Sequence, residues 1–349
     1  MNFYTILIGL VPSLGYGCMA PFSTKIGGTV QQKTLGITTA CFFLGLIILF
    51  IEIPFGLDYF SKPGLLFFFI SLISGVFWYF GSFFELKAIT QAGVSKAMPF
   101  SMVGQFFLTT LFSAFLFQGW LTNPKIQITF GMIFLFVIFA GIVLISLSPN
   151  VEYKENGSFS QNIASKKWSF IWSILFSVVS FSLYFLLPEL IKNLGNEKSW
   201  LFAGKEWKNP NDKLFLGGFD EGIMFPQTLG MLICAIVAIY IYDSKYGFKH
   251  STITPKTPFI YNKKVCLNML PGSLQAIGNL ATIFSTFLNG NAIASPLNQM
   301  SVVIATLFGV FYMKERKPQP YMTTTFVGLS LIALGALMSG FAPIIIGIQ

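Results

Sequence analysis

Four apolar stretches of this chain carry polar side chains at helical spacing, and those side chains share one chemistry. Gly75, Trp78, Ser82 and Glu85 follow three- and four-residue steps, which lines them along one helix face. Gly272, Gln275, Asn279 and Thr282 repeat the same steps. Ser101, Gln105 and Thr109 are spaced by four after Pro99, and Ser295, Asn298, Gln299 and Ser301 surround Pro296. Amides and hydroxyls both donate and accept hydrogen bonds, and an indole packs against C–H surface, so the set suits a polyhydroxylated, uncharged ligand. Nothing in the stripes clamps a carboxylate or a phosphate. The bland alternative is that these side chains glue helices together; their recurrence in two parts of the chain favours a lined pathway. On that reading Trp78 stacks on the ligand, while Ser101, Gln105, Gln275, Asn279, Asn298 and Gln299 hydrogen-bond its hydroxyls.

Glu85 is the one acid well inside an apolar stretch, since Glu52 and Glu189 lie at ends. An ionisable residue in such a place is a functional candidate, here for proton coupling; the competing reading pairs it with Lys87 or Lys96 at the membrane interface. Pro99 and Pro296 are candidate hinges of broken helices if they lie deep, and ordinary first-turn residues if they do not. Cys18, Cys41, Cys234 and Cys266 stand alone in apolar segments, and His250 is the single histidine, so no metal site, disulfide framework or catalytic triad is expected. No cofactor motif and no nucleophile–base pair is visible, which excludes an enzyme reading.

The elements that position these residues are membrane helices. Of the chain, 54% is hydrophobic and only 10% charged, far from the roughly one-quarter charged residues of soluble domains. Apolar runs near 2–22, 33–53, 63–86, 97–118, 126–147, 168–191, 223–243, 265–288, 294–313 and 321–346 each approach the ~20 residues that span hydrocarbon. This predicts an all-α integral membrane protein of about ten helices. Residues 1–147 form a first five-helix repeat, 148–166 a polar linker, and 167–349 a second repeat with a long loop at 192–222. That loop is read as a surface belt of aromatics or as a lid.

A constant offset supports the repeat. Gly75 and Gly272, Gly81 and Gly278, Gly93 and Gly290, Ala97 and Ala294, Pro99 and Pro296, Thr109 and Thr306, and Gly131 and Gly328 all differ by 197. Five spans per half force the second copy to enter the membrane from the opposite side. The loop lysines, among them Lys25, Lys33, Lys87, Lys96, Lys166, Lys263 and Lys264, fall on one face. The positive-inside rule makes that face and the linker cytoplasmic and puts both termini outside, in a multi-pass bacterial plasma membrane protein. The net charge of +9 is thus a topology signal, and scattered lysines give no nucleic-acid surface. With no basic residue before Lys25, the first apolar run is read as a span and not as a cleaved signal.

The segment 75–120, with Phe77-Trp78, Leu86-Lys87, Gly93 to Lys96, Met98-Pro99, Thr109 to Ala114 and Trp120, resembles the glucose/ribose uptake permeases of the drug/metabolite transporter superfamily. So do VPSLGYG at 11–17, Leu270 to Gly272, Ile277 to Asn279, and Lys314-Glu315-Arg316. The resemblance implies two inverted five-helix repeats and uptake of a neutral monosaccharide, glucose or ribose, with proton symport. Gln275 stands where the family tends to have Trp, and Glu85 where it often has Gln; both departures bear on the sugar and the coupling ion. An exporter of drugs or metabolites on the same scaffold, and a membrane sensor or assembly subunit that moves nothing, are the alternatives. The expected partners are a small neutral sugar, the lipid bilayer and protons; monomer and homodimer both stay open.

Overall fold

The computed structural model describes residues 3–53, 59, 62–116, 133, 136–141, 143–145, 147, 152–153, 159–160, 167–194, 219–246, 262–289, 291–315, 319 and 321–345. Ten α-helices run through them: α1 (Phe3–Ile26), α2 (Val30–Glu52), α3 (Lys62–Ala92), α4 (Val94–Leu116), α5 (Phe136–Ile145), α6 (Lys167–Leu194), α7 (Phe219–Tyr246), α8 (Lys263–Asn289), α9 (Asn291–Leu307) and α10 (Tyr321–Ile345). The all-α membrane architecture expected from hydropathy is what forms. A π-helical turn, Phe308–Tyr312, extends α9. The linker adds a two-strand ladder, β1 (Glu152–Tyr153) against β2 (Phe159–Ser160), that the polar composition did not announce. The loop expected at 192–222 is encroached on by α6 and α7; its residues 195–218 lie outside those described, as do Gly131, Gly290 and Arg316.

The helices wear their apolar residues outward. On α3, Leu65, Phe69, Ile73 and Phe80 are exposed, while Ser71, Ser74, Ser82 and Glu85 are buried. That inversion of the soluble pattern is what hydrocarbon demands, because lipid solvates leucine and phenylalanine and leaves a hydroxyl unpaired. Four described helices are long and apolar enough to cross a bilayer, with spans at Val30–Glu52, Gly64–Ala92, Trp168–Pro188 and Gly222–Ile241.

Helix ends follow local chemistry. Thr29 caps α2 through its hydroxyl, which accepts from the Gln32 N–H at 3.2 Å, and Gln32 returns the bond to the Thr29 N–H at 3.1 Å. This cap starts α2 before Lys33, so Lys33 is a buried helical residue and not the loop lysine expected. Asn262 caps α8, its Oδ1 accepting from the N–H groups of Lys264 and Val265. Between α3 and α4 a single residue, Gly93, turns the chain at φ +87°. A side chain there would be strained by that φ.

The chain packs as two compact units, each drawn from both sequence halves. One comprises Met1–Gly27, Phe84–Val178 and Leu274–Gln349; the other comprises Gly28–Phe83 and Val179–Ser273. The first centres on Val103, Ile138, Ile145, Val302, Leu329 and Ile332; the second on Leu35, Tyr79, Ala235, Ile239 and Val265. Small residues set the helix spacing. In the second unit a Cβ at Gly75 would overlap the Gln227 carbonyl oxygen of α7, and one at Gly272 would lie 2.7 Å from Ile37 Cα of α2. These two glycines stand 197 positions apart, and they seat α3 against α7 and α8 against α2.

At the start of α4, Glu315 reaches from beyond the π-helical turn and accepts the N–H of Val94 at 2.7 Å and of Ser95 at 3.0 Å, one on each carboxylate oxygen. The carboxylate is wholly buried. It fills two of the backbone donors that a helix N-terminus leaves open and complements the helix dipole there. Glu315→Ala is expected to destabilise the protein by about 2–3 kcal/mol, since two buried N–H groups lose their acceptor. Glu315→Gln should recover part of that, as its one amide oxygen still accepts. Thermal unfolding in detergent checks the order parent, Gln, Ala; a melting point of Glu315→Ala equal to the parent's would dismiss the cap.

Candidate functional site

The amide-bearing stripe of α8 meets α1 and α9 within the first unit. Gln275 donates from Nε2 to Asn279 Oδ1 at 3.1 Å. The phenol of Tyr16, on α1, donates to the same Asn279 oxygen at 3.0 Å and lies 2.8 Å from Thr282 Oγ1. From α9, Asn298 Nδ2 lies 3.5 Å from Thr282 Oγ1. Thr282 itself donates to the Gly278 carbonyl at 2.9 Å. Thus three of the expected hydroxyl-binding residues, Gln275, Asn279 and Asn298, belong to one network. Asn298 Oδ1 is buried there with no hydrogen-bond partner.

The corresponding stripe of α3 has a different character. Trp78 is 2% exposed, with its ring edge-to-face against Phe181 at 6.2 Å, inside the second unit. Farther along α3, in the first unit, Glu85 is also 2% exposed; its carboxyl lies beside Ser101, whose hydroxyl is 2.9 Å from the Ser177 hydroxyl of α6. Glu85 Oε1 has no hydrogen-bond partner. A carboxyl buried beside two serines is a group whose energy depends steeply on whether it holds a proton.

Gln105 is half-buried on α4. The side chain of Gln299 lies outside the described residues. Pro99 and Pro296 are each the sixth residue of their helices, α4 and α9, which continue through them; the sharp break in the chain falls earlier, at Gly93. Among the described residues no cluster of His, Cys, Asp and Glu could hold a metal ion.

The offset of 197 (282 − 85) also joins these two regions. It pairs Trp78 with Gln275, Ser82 with Asn279, Glu85 with Thr282, and Ser101 with Asn298. The Glu85–Ser101 contact therefore recurs as the Thr282–Asn298 contact, with the acid exchanged for a hydroxyl. Gly81 and Gly278 recur likewise: a Cβ on Gly81 would meet the Phe181 ring at 2.8 Å, and one on Gly278 would meet the Tyr16 ring at 2.9 Å. Thr109 and Thr306, also 197 positions apart, both bury a hydroxyl oxygen that has no hydrogen-bond partner. Sequence reasoning missed Tyr16, Ser177 and Glu315. Tyr16 and Glu315 sit in segments that carry the family resemblance, which was the available signal; Ser177 had none.

Comparison with known proteins gives the same direction. The family model described as sugar transport protein matches residues 7–200 and 215–342. The glucose uptake protein GlcU of Bacillus subtilis is 31% identical over 97% of this chain and 98% of its own length. The "Probable glucose uptake protein GlcU" of Priestia megaterium is 30% identical over 97% and 99%. A solved structure titled only "Crystal structure of protein" superposes over 99% of both chains with a TM-score of 0.53 at 14% identity, which speaks for the fold alone.

Proposed function

We propose, starting from the fact that this chain belongs to the sugar transport protein family, that it carries a neutral monosaccharide, glucose or ribose, into the cell by alternating access and couples that movement to protons. Family membership makes it a sugar uptake transporter of the cell membrane rather than an enzyme. The finer reading rests on one observation, the uncharged network of Gln275, Asn279, Thr282 and Asn298 with an unfilled acceptor at Asn298 Oδ1. A sugar hydroxyl supplies the missing donor and accepts in return, which an apolar or cationic substrate cannot do.

Two inverted repeats, 1–147 and 167–349, would rock around this site. The equivalent neighbours of Gly75 and Gly272, and of Gly81 and Gly278, support that symmetry. Pro99 and Pro296 would serve as matched flexible points, since each leaves one helical carbonyl without its N–H donor. Ser101, Gln105 and Gln299 would extend the hydrogen-bonding surface, and Trp78 would form an apolar wall. Glu85 would carry the proton. The lysine-rich loops would face the cytoplasm, with both termini outside.

Uptake of labelled glucose into vesicles holding the purified protein tests the reading. Asn298→Ala should raise the apparent KM about tenfold while the maximal rate changes little, as the lost bond serves binding. An unchanged KM would remove Asn298 from the sugar site.

A further inference from the structure

We infer that Tyr16 is a specificity-determining residue of the sugar site: its phenol fixes the orientation of the Asn279 amide, so that one substrate hydroxyl is read by two amides at once. The inference rests on the uptake reading above and adds a residue and a recognition rule to it.

The ring of Tyr16 reaches α8 because residue 278 is a glycine. A Cβ there would come within 2.9 Å of ring atom Cε1 and 3.0 Å of Cδ1. From that seat the phenol is 3.0 Å from Asn279 Oδ1 and 2.8 Å from Thr282 Oγ1. Asn279 Oδ1 then accepts two donors, Tyr16 and Gln275. An amide oxygen has two lone pairs, so both are occupied and the amide cannot flip without breaking both bonds. Its NH2 group is thereby held on the opposite side as a fixed donor. Asn298, joined to the same Thr282, offers the reverse polarity through its partnerless Oδ1. A fixed donor and an open acceptor around one threonine match a hydroxyl group, which accepts from the first and donates to the second.

The other sequence half shows that the phenol oxygen is not needed for packing. There the mate of Gly278, Gly81, is met by Phe181, a ring without a hydroxyl, which rests against Trp78. A phenyl ring therefore suits this kind of contact, and the oxygen of Tyr16 is left to the polar network.

The test uses the full-length protein in proteoliposomes. Tyr16→Phe is expected to raise the apparent KM for glucose about tenfold with a maximal rate within about twofold of the parent. Against a series of monodeoxyglucoses, the parent should penalise loss of one particular hydroxyl, and Tyr16→Phe should erase that penalty. In an Asn279→Ala background the Tyr16→Phe change should add nothing further. The inference is overturned if KM and the deoxysugar ranking stay as in the parent, if the maximal rate falls equally for every sugar at constant KM, or if the Tyr16 and Asn279 losses simply add. A parent protein without saturable sugar uptake overturns the transport reading itself.

Discussion

Glu85→Gln is expected to abolish concentrative sugar uptake while leaving sugar exchange across the membrane intact. Glutamine has nearly the shape of a protonated carboxyl but can never release a proton, so it holds the site in its loaded form. Glu85 is buried beside Ser101 and has one oxygen without a hydrogen-bond partner; in hydrocarbon such a group changes energy sharply when it gains or loses charge. A carrier that can complete its cycle only with this group in one state ties sugar movement to proton movement. With an alkaline interior imposed on vesicles, the parent should accumulate glucose and Glu85→Gln should only equilibrate it. Counterflow of labelled against unlabelled glucose should persist in both. If Glu85→Gln still accumulates sugar in response to the gradient, Glu85 does not carry the coupling proton. Thr282, 197 positions on, gives an internal control: Thr282→Ser keeps a hydroxyl and should keep coupling.

The second large effect is structural. Gly75→Val is expected to destabilise the protein by about 3 kcal/mol or more, because overpacking against backbone admits no relief by rotamer change. Its Cβ would overlap the carbonyl oxygen of Gln227, and across the same pair of helices a Cβ on Gly230 would overlap that of Leu72. Helices α3 and α7 touch backbone to backbone here, in an arrangement tied down by Gln227 Nε2 donating to Ser74 Oγ at 2.9 Å and Ser74 donating to the Tyr184 carbonyl at 2.8 Å. A valine must push α3 away and strain those bonds. Gly104→Ala makes the contrast: its Cβ would meet Cγ2 of Val178 at 2.6 Å, a side-chain methyl that can turn aside. Thermal unfolding in detergent should therefore show a large loss for Gly75→Val and a much smaller one for Gly104→Ala. Equal melting points for Gly75→Val and the parent would mean that α3 and α7 do not approach as described.

Much of this protein was readable from one dimension. Hydropathy is a running property of the chain, so the apolar runs located the helices: the run at 97–118 became α4 at Val94–Leu116, and that at 321–346 became α10 at Tyr321–Ile345. The three- and four-residue steps placed Gln275, Asn279 and Thr282 on one face, and the bond from Gln275 to Asn279 across one turn of α8 follows from that period. The offset of 197 pairs Gly75 with Gly272 and Gly81 with Gly278, each of which lies close against a neighbouring helix.

Partners far apart in the chain were decided by the tertiary structure. Tyr16 bonds a residue 263 positions away, and Glu315 caps a helix 221 positions before it. Neither pairing leaves a trace in local composition, since a tyrosine in an apolar run and a glutamate among lysines look ordinary until packing brings a glycine or a helix N-terminus beside them. The same is true of Trp78, which periodicity placed beside Glu85 on one stripe and which packing buries against Phe181. Helix formation and membrane burial depend on neighbours in sequence, so the residues declare them; the orientation of an amide depends on whichever donors the fold delivers, so only the assembled helices fix it.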